Sequence, residues 1–315
     1  MATHKAYRLH GYGGRENITL DDAPVPAPGP GQVLVEVNTV AINPFDWKIR
    51  EGYVKDEMPL PLPYVMGVDF VGRIVELGEG ATRFKVGDRV MTMSTSLGAF
   101  AEHIAIDEAV LAAVPDDLSD EDAATLPIPA MSARVSLRSA GELPEGAKIL
   151  IHGASGVVGA LAVQFAKQAG AYVIGTASAK NRDYVTSLGA DEFIDYTTEQ
   201  FEDRVKDVDV VLDYVLMGGT DSTTDRSWSV LKPGGTIVSL ADPAILSNVP
   251  EGYHGYFPTV APEADVLEEA AHQLADGTIT TKVARVFSRA ELLDAMDLNQ
   301  AGGTTGRLIV DFKKD

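Results

Sequence analysis

The sequence predicts an α/β chain in which a β-rich lobe precedes a doubly wound parallel sheet, and three observations carry that prediction. From Lys148 to Ser178 the chain reads as strand, glycine turn, helix and second strand, the order of a dinucleotide-binding βαβ unit. After Asp120-Glu121-Asp122, strand-like runs near 149, 172, 193, 209 and 237 alternate with helical stretches, which is the pattern of parallel strands joined by helical crossovers. From His4 to Asp122 short strand-like segments follow one another across turn-rich pieces, as in a β-barrel or sandwich.

In the first lobe the strand-like segments are Gln32 to Ala41, Val68 to Leu77, Arg89 to Thr92 and Ala99 to Ile106, punctuated by the proline-rich run from Ala23 to Gly31 and by Gly87-Asp88. In the βαβ unit, Ile149, Leu150 and Ile151 suit a strand buried on both faces. Val157, Val158, Leu161, Ala162, Phe165, Ala166 and Ala169 then recur at helical spacing, with Gly170 at the expected stop. Val173 and Ile174 open the next strand. The tail changes pattern again, with Ala284 to Phe287 and Gly306 to Phe312 strand-like and Ala290 to Leu298 helical. The length of 315 residues suits two domains: residues 1–122, rejoined by 278–315, and a dinucleotide-binding domain over 123–277.

Composition narrows the function. Hydrophobic residues at 45% and charged residues at 23% are globular values, and no apolar run is long enough to cross a bilayer. The N-terminus lacks an apolar signal core, so a soluble, cytoplasmic protein is the expectation. A net charge of −20 disfavours nucleic acid and anionic membranes as partners. The absence of cysteine removes disulfides, thiolate nucleophiles and cysteine zinc sites together.

The turn is Ala154-Ser155-Gly156-Val157-Val158-Gly159, a dinucleotide fingerprint with alanine in place of its first glycine. Gly156 lets backbone N–H groups approach a pyrophosphate at the positive end of the helix, and Gly159 lets the helix lie close to the strand. At the end of the second strand, where an NAD site usually carries an acid, the chain has Ser178-Ala179-Lys180-Asn181-Arg182. An acid near a 2′-phosphate would cost roughly 4 kcal/mol at about 4 Å and an effective dielectric near 20, whereas a lysine attracts by a similar gross amount. The segment therefore favours NADPH, with Asp183 arguing mildly the other way.

Further motifs run the length of the chain: Pro30-Gly31-Gln32-Val33-Leu34-Val35, Asn43-Pro44-Phe45-Asp46, Gly67-Val68-Asp69-Phe70-Val71-Gly72, Phe84-Lys85-Val86-Gly87-Asp88-Arg89-Val90, Leu188-Gly189-Ala190-Asp191, Leu231-Lys232-Pro233-Gly234-Gly235 and Gly306-Arg307-Leu308. In this order, with the glycine turn, they resemble the medium-chain dehydrogenase/reductase superfamily and, within it, the zinc-free quinone oxidoreductase branch. The resemblance implies a GroES-like β-barrel lobe for substrate, a Rossmann lobe for the nicotinamide cofactor, and a cleft between them for hydride transfer. Where the zinc branch places its ligands this chain has Asn43, Val68 and Ile128, so no metal site is expected and Lewis-acid polarisation of an alcohol is unavailable.

The same resemblance implies that Ser178, Lys180 and Tyr196 hold the 2′-phosphate. It further implies that Ser132, Val215, Gly218, Ala241, Phe257 and Arg307 lie along the rest of the cofactor, beside Ala154 to Gly159. For catalysis it implies hydride transfer to a quinone or to the β-carbon of an enone, with Asn43 positioning the acceptor and Tyr53 and Tyr64 as candidate donors to its oxygen. Asp46 and Asp69 are read as turn or hydrogen-bonding groups rather than an acid/base pair. Alternatives are a carbonyl reductase of simple ketones or aldehydes and a non-catalytic NADPH-binding protein. Relatives imply a homodimer joined through Rossmann edges.

Overall fold

The computed structural model describes residues 2–215 and 222–314 and divides into two compact units. The first comprises 1–128, 261–278 and 282–315, and the second 129–260 with 279–281. Relative to the division expected at 122/123 and 277/278, residues 123–128 and 261–277 group with the β-rich unit and 279–281 with the other. The reason for 261–277 is that helix α8 (Ala264–Ala275) presents Glu268 to that unit, where its carboxylate meets Arg83 at 2.8 Å and accepts the Ala113 N–H at 2.9 Å.

The first unit is built on two sheets. Strands β1 (Thr3–Leu9), β2 (Ile18–Pro24) and β4 (Tyr64–Val65) form the smaller, antiparallel one. The larger sheet has the order β15-β16-β3-β5-β6-β8, with β7 also on β3, where β3 is Gln32–Ala41, β5 Asp69–Leu77, β6 Arg89–Met93, β7 His103–Asp107, β8 Ala112–Ala113, β15 Val283–Ser288 and β16 Arg307–Asp311. The tail strand β16 pairs antiparallel with the end of β3, Ile309 opposite Ala41, so the last part of the chain completes this sheet. The strand expected over 99–106 is real only from His103, because the backbone before it serves other partners. Ala99 N–H bonds Gly67 O, Phe100 N–H bonds Met66 O at 2.8 Å, and Ala101 bridges Ala6.

Among the elements of this unit that the sequence expectation does not name is helix α1 (Pro44–Glu51). Its start is specified locally: Asn43 has extended backbone, Pro44 sits in the first turn, and the Asp46 carboxylate reaches back to accept the Asn43 N–H at 2.7 Å. Gly52, at φ 80°, ends it. Two further helices, α2 (Asp120–Ala123) and α3 (Pro127–Ser139), lead out of the β-rich region, and α9 (Leu292–Ala301) joins the tail strands.

The second unit is a six-stranded sheet in the order β11-β10-β9-β12-β13-β14, and every pairing in it is parallel. The strands are β9 (Lys148–His152), β10 (Tyr172–Ala177), β11 (Glu192–Asp195), β12 (Val208–Asp213), β13 (Leu231–Ser239) and β14 (His254–Tyr256). Helices α4 (Val157–Gln168), α5 (Arg182–Ser187), α6 (Phe201–Arg204) and α7 (Thr223–Ser227) occupy the crossovers. Chain order reverses between β9 and β12, which creates a switch point at the carboxyl ends of those two strands. β9 is buried along Ile149 to His152, as a strand covered on both faces must be.

The glycine turn fixes where α4 begins. A Cβ built on Gly159 would lie 2.2 Å from the Gly153 carbonyl oxygen and 2.9 Å from Ala154 Cα, so the helix rests on the turn at a distance only hydrogen allows. Both neighbours are backbone and cannot move aside. Gly159→Ala is expected to lower stability by at least about 2 kcal/mol, with a matching loss of dinucleotide affinity, whereas Gly156→Ala, whose Cβ would meet one oxygen at 3.2 Å, is milder. Denaturant unfolding of the two variants beside the parent checks this, and equal midpoints for both would contradict it.

Candidate functional site

In the second unit Ala154 to Gly159, Ser178, Lys180, Tyr196 and Val215 follow the carboxyl ends of β9, β10, β11 and β12. Gly156 is exposed and caps α4, whose twelve residues direct their free N–H groups toward the switch point. Ser155 stands beside it. Val215, just beyond β12, reaches the turn from the other side, with Cγ2 3.4 Å from a Cβ built on Gly153, and its N–H is held by Asp213 at 3.0 Å. Ser132 lies on α3 with its carbonyl accepting the Ser136 hydroxyl at 2.8 Å. Gly218 lies outside the described residues. An exposed helix start and a turn whose space a single Cβ would fill fit a dinucleotide pyrophosphate.

Around the end of β10 the side chains form a polar group. Asn181 Nδ2 donates to Ser155 Oγ at 3.1 Å and to Ser178 Oγ at 3.3 Å. Lys180, next to Asn181 in the chain, is exposed, and Tyr196, 64% exposed, is tied to β10 by its N–H on the Ala177 carbonyl at 3.3 Å. Arg182 is directed elsewhere, with its guanidinium 4.4 Å from the centre of the Phe193 ring. Asp183 is exposed in the first turn of α5. Asp195, an acid the sequence reading did not weigh, ends β11 with its carboxylate accepting the Thr197 hydroxyl at 2.7 Å and the Thr198 hydroxyl at 3.2 Å. The Thr197 hydroxyl leads the interactions that hold its pKa below the usual carboxylate value.

The other two expected cofactor contacts of this unit follow β14 and β13. Phe257 is partly buried and packs on the hydrophobic cluster of the sheet with Trp228 and Tyr253. Ala241 N–H is taken by Ser239 Oγ at 3.2 Å in the turn after β13.

Within the first unit, Asn43, Asp46, Asp69 and Arg307 form a buried cluster drawn from α1, β5 and β16, each no more than 2% exposed. Arg307 pairs with Asp69 through Nη2 and donates from Nη1 to the Ile42 carbonyl at 3.2 Å, while the Ile128 N–H reaches the same Asp69 oxygen at 3.3 Å. Two carboxyl groups thus face one guanidinium. Burial is the largest influence on both acids and pushes Asp46 up to about 8 and Asp69 up to about 6, with the Asp69 charge adding to the rise at Asp46 and Arg307 opposing it at both. Asp46 is therefore the neutral member near pH 7, and Asp69 the anion that Arg307 requires. Asn43 Oδ1, Asp46 Oδ1, Asp69 Oδ1 and Arg307 Nε have no partner among the described residues, and a proton on Asp46 turns one bare acceptor into a donor.

This cluster revises two sequence expectations. Arg307 is committed to an internal ion pair and is not extended toward a cofactor, because a buried carboxylate beside it leaves no cheaper arrangement. Asn43 is 1% exposed, with Nδ2 on the Ala41 carbonyl at 3.3 Å, so it builds the start of α1 and does not present its amide to a ligand. The signal for Asn43 was in the sequence, in its spacing with Asp46 as a helix start, whereas the meeting with Asp69 and Arg307 was not. The remaining catalytic candidates lie apart from the cluster. Tyr53 is 67% exposed and edge-on to Trp47 at 6.0 Å, and the Tyr64 hydroxyl donates to the Ser96 carbonyl at 3.1 Å.

The buried proton has a measurable consequence. The folded chain holds it on Asp46 to higher pH than the unfolded chain does, so this group's contribution to stability falls as pH rises from about 4 toward about 8 and is level above that. Asp46→Asn removes the titration while keeping the shape. Its thermal midpoint is expected to gain on the parent's between about pH 6 and pH 8, and parallel midpoints over that range would show that Asp46 is not the proton's holder.

Comparison with known proteins agrees with this architecture. Residues 29–116 match the family model for the alcohol dehydrogenase GroES-like domain, residues 188–310 that for zinc-binding dehydrogenase, and residues 130–243 that for the alanine dehydrogenase/PNT C-terminal domain. The chain is 33% identical over 236 residues to a chloroplastic quinone-oxidoreductase homolog of Spinacia oleracea, covering 72% of this chain and 70% of that protein. It is 32% identical to a chloroplastic NADPH-dependent alkenal/one oxidoreductase of Arabidopsis thaliana, covering 97% and 79%. The quinone oxidoreductase structure from Coxiella burnetii matches with a TM-score of 0.90 at 28% identity, over 98% of this chain and 99% of that one. With an amide and two aliphatic side chains at the zinc-ligand positions, the chain is a nicotinamide-dependent oxidoreductase that belongs to the zinc-free quinone oxidoreductase branch of the medium-chain dehydrogenase/reductase superfamily.

Proposed function

We propose that the chain is an NADPH-dependent reductase of quinones or of the activated C=C bond of enones. The observation that carries the cofactor choice is the polar group at the end of β10, where the Asn181 amide joins the hydroxyls of Ser155 and Ser178 and the neighbouring residue in the chain is the exposed Lys180. Such a group, with a lysine and no carboxylate in it, suits a phosphate monoester better than a ribose hydroxyl, which an NAD site usually meets with an acid. The acceptor class is supported by relatives whose names describe quinone and alkenal/one oxidoreductases.

The division of labour follows from the residues. The N–H groups at the start of α4 hold the pyrophosphate, Lys180 and Tyr196 flank the 2′-phosphate, and Val215 with the Ser132 region borders the nicotinamide end. When bound, the reduced nicotinamide supplies a hydride. Charge then develops on the acceptor oxygen, and a phenol is the appropriate donor to it. Of the two candidates Tyr53 is the one with an accessible hydroxyl, since that of Tyr64 is already engaged. Asn43 acts at one remove by holding α1 in place. Two copies are proposed to associate through the β14 edge, where Leu246, Val249 and Tyr256 are exposed.

The test is a panel of quinones, enones, aldehydes and ketones assayed with NADPH and NADH side by side. Faster NADPH oxidation with quinones or enones is expected. Turnover confined to aldehydes, or none with any acceptor despite tight NADPH binding, would replace this reading with a carbonyl reductase or a binding protein. Lys180→Ala is expected to weaken NADPH about tenfold, ~1.4 kcal/mol, and to leave NADH unchanged. Tyr53→Phe is expected to lower kcat/KM about tenfold with little effect on NADPH affinity, and an unchanged rate would assign the proton to solvent.

A further inference from the structure

We propose that Asn181 is the positioning residue that sets cofactor preference, by fixing the Ser155 and Ser178 hydroxyls as hydrogen-bond donors; this rests on the dinucleotide-site reading above. A serine hydroxyl has one proton and two lone pairs. Its neighbour decides which of these it turns outward. Asn181 Nδ2 has only protons to offer and gives them to Ser155 Oγ at 3.1 Å and Ser178 Oγ at 3.3 Å. Neither hydroxyl can return its proton to that nitrogen, so each accepts from the amide and directs its own O–H elsewhere.

The location makes that direction matter. Ser155 belongs to the glycine turn after β9, and Ser178 follows the last residue of β10, so one side chain bridges the pyrophosphate turn and the loop that faces the adenosine ribose. The Asn181 backbone is itself anchored, its N–H on the Ser178 carbonyl at 2.9 Å, which holds the amide within reach of both hydroxyls. The two oriented O–H groups and the ammonium of Lys180, the next residue in the chain, offer three donors. A phosphate monoester accepts from all three and needs nothing returned. A ribose 2′-OH has two lone pairs on a single oxygen, so it accepts from at most two of these three donors and leaves the third unmatched. Asn181 therefore selects through polarity, whereas Lys180 selects through charge.

Three sets of variants separate these effects, and dissociation constants for NADPH and NADH, read by fluorescence titration without any acceptor, report them. Asn181→Ala frees both hydroxyls to rotate and is expected to cut the NADPH-over-NADH ratio about tenfold, chiefly by weakening NADPH. Asn181→Asp reverses the polarity, because a carboxylate accepts from both hydroxyls and turns their lone pairs outward. Its ratio is expected to fall about a hundredfold or more. The third arm is the double variant Ser155→Ala/Ser178→Ala, in which adding Asn181→Ala is expected to cause no further loss. Thermal midpoints taken alongside identify a variant that fails to fold, and the double-variant background then supplies the answer.

A parent protein that binds NADH as tightly as NADPH would overturn the cofactor reading itself. A parent that prefers NADPH, with an unchanged ratio in Asn181→Ala or a full additional loss in the double-variant background, would overturn only the role assigned to Asn181.

Discussion

The approach of α4 to the turn after β9 is the constraint on which the dinucleotide site depends. With only 2.2 Å between a Cβ on Gly159 and the Gly153 carbonyl oxygen, no larger residue keeps the helix start where it is. That placement does two things together. It opens the N–H groups of the first helical turn toward the ends of the strands, and it brings Ser155 within reach of Asn181, which belongs to the loop after the neighbouring strand. The polar group of Ser155, Ser178 and Asn181 is thus a consequence of backbone packing.

The β-rich unit meets a different problem, a surplus of buried acid. Two carboxyl groups and one guanidinium cannot be neutralised by pairing alone, and the cheaper remaining course is for one acid to keep its proton. Asp46, with a single backbone N–H on its carboxylate, is the member that does so, while Asp69 receives both Arg307 and the Ile128 N–H. The arrangement joins α1, β5 and the tail strand β16. Stability and local geometry in this unit are thereby tied to one proton as well as to apolar packing.

Much of the architecture is legible in the residues themselves. The apolar triplet Ile149 to Ile151, the helical stripe from Val157 and the alternation after residue 122 correspond to β9, α4 and the parallel sheet. Local signals were present but unread at α1, where Asn43, Pro44 and Asp46 are a complete helix start. The strand ending at Asp107 was drawn too long because hydrogen-bond partners change between Ala101 and His103, and composition does not record a change of partner. Arg307 resembled a ligand contact by position; its burial and pairing with Asp69 give it another role.

By itself the sequence determined the periodicities, the glycine positions, the lack of cysteine and the absence of an acid directly after β10, because each is a property of neighbouring residues or of composition. Only the tertiary structure decided which distant groups share a proton, a charge or a hydrogen bond. Asp46 and Arg307 lie more than 250 positions apart in the chain, and Ser155 and Asn181 are separated by a whole helix and strand. Such partners meet through strand order and close packing, and the energies that make them functional arise only at contact distance in a poorly polarisable interior.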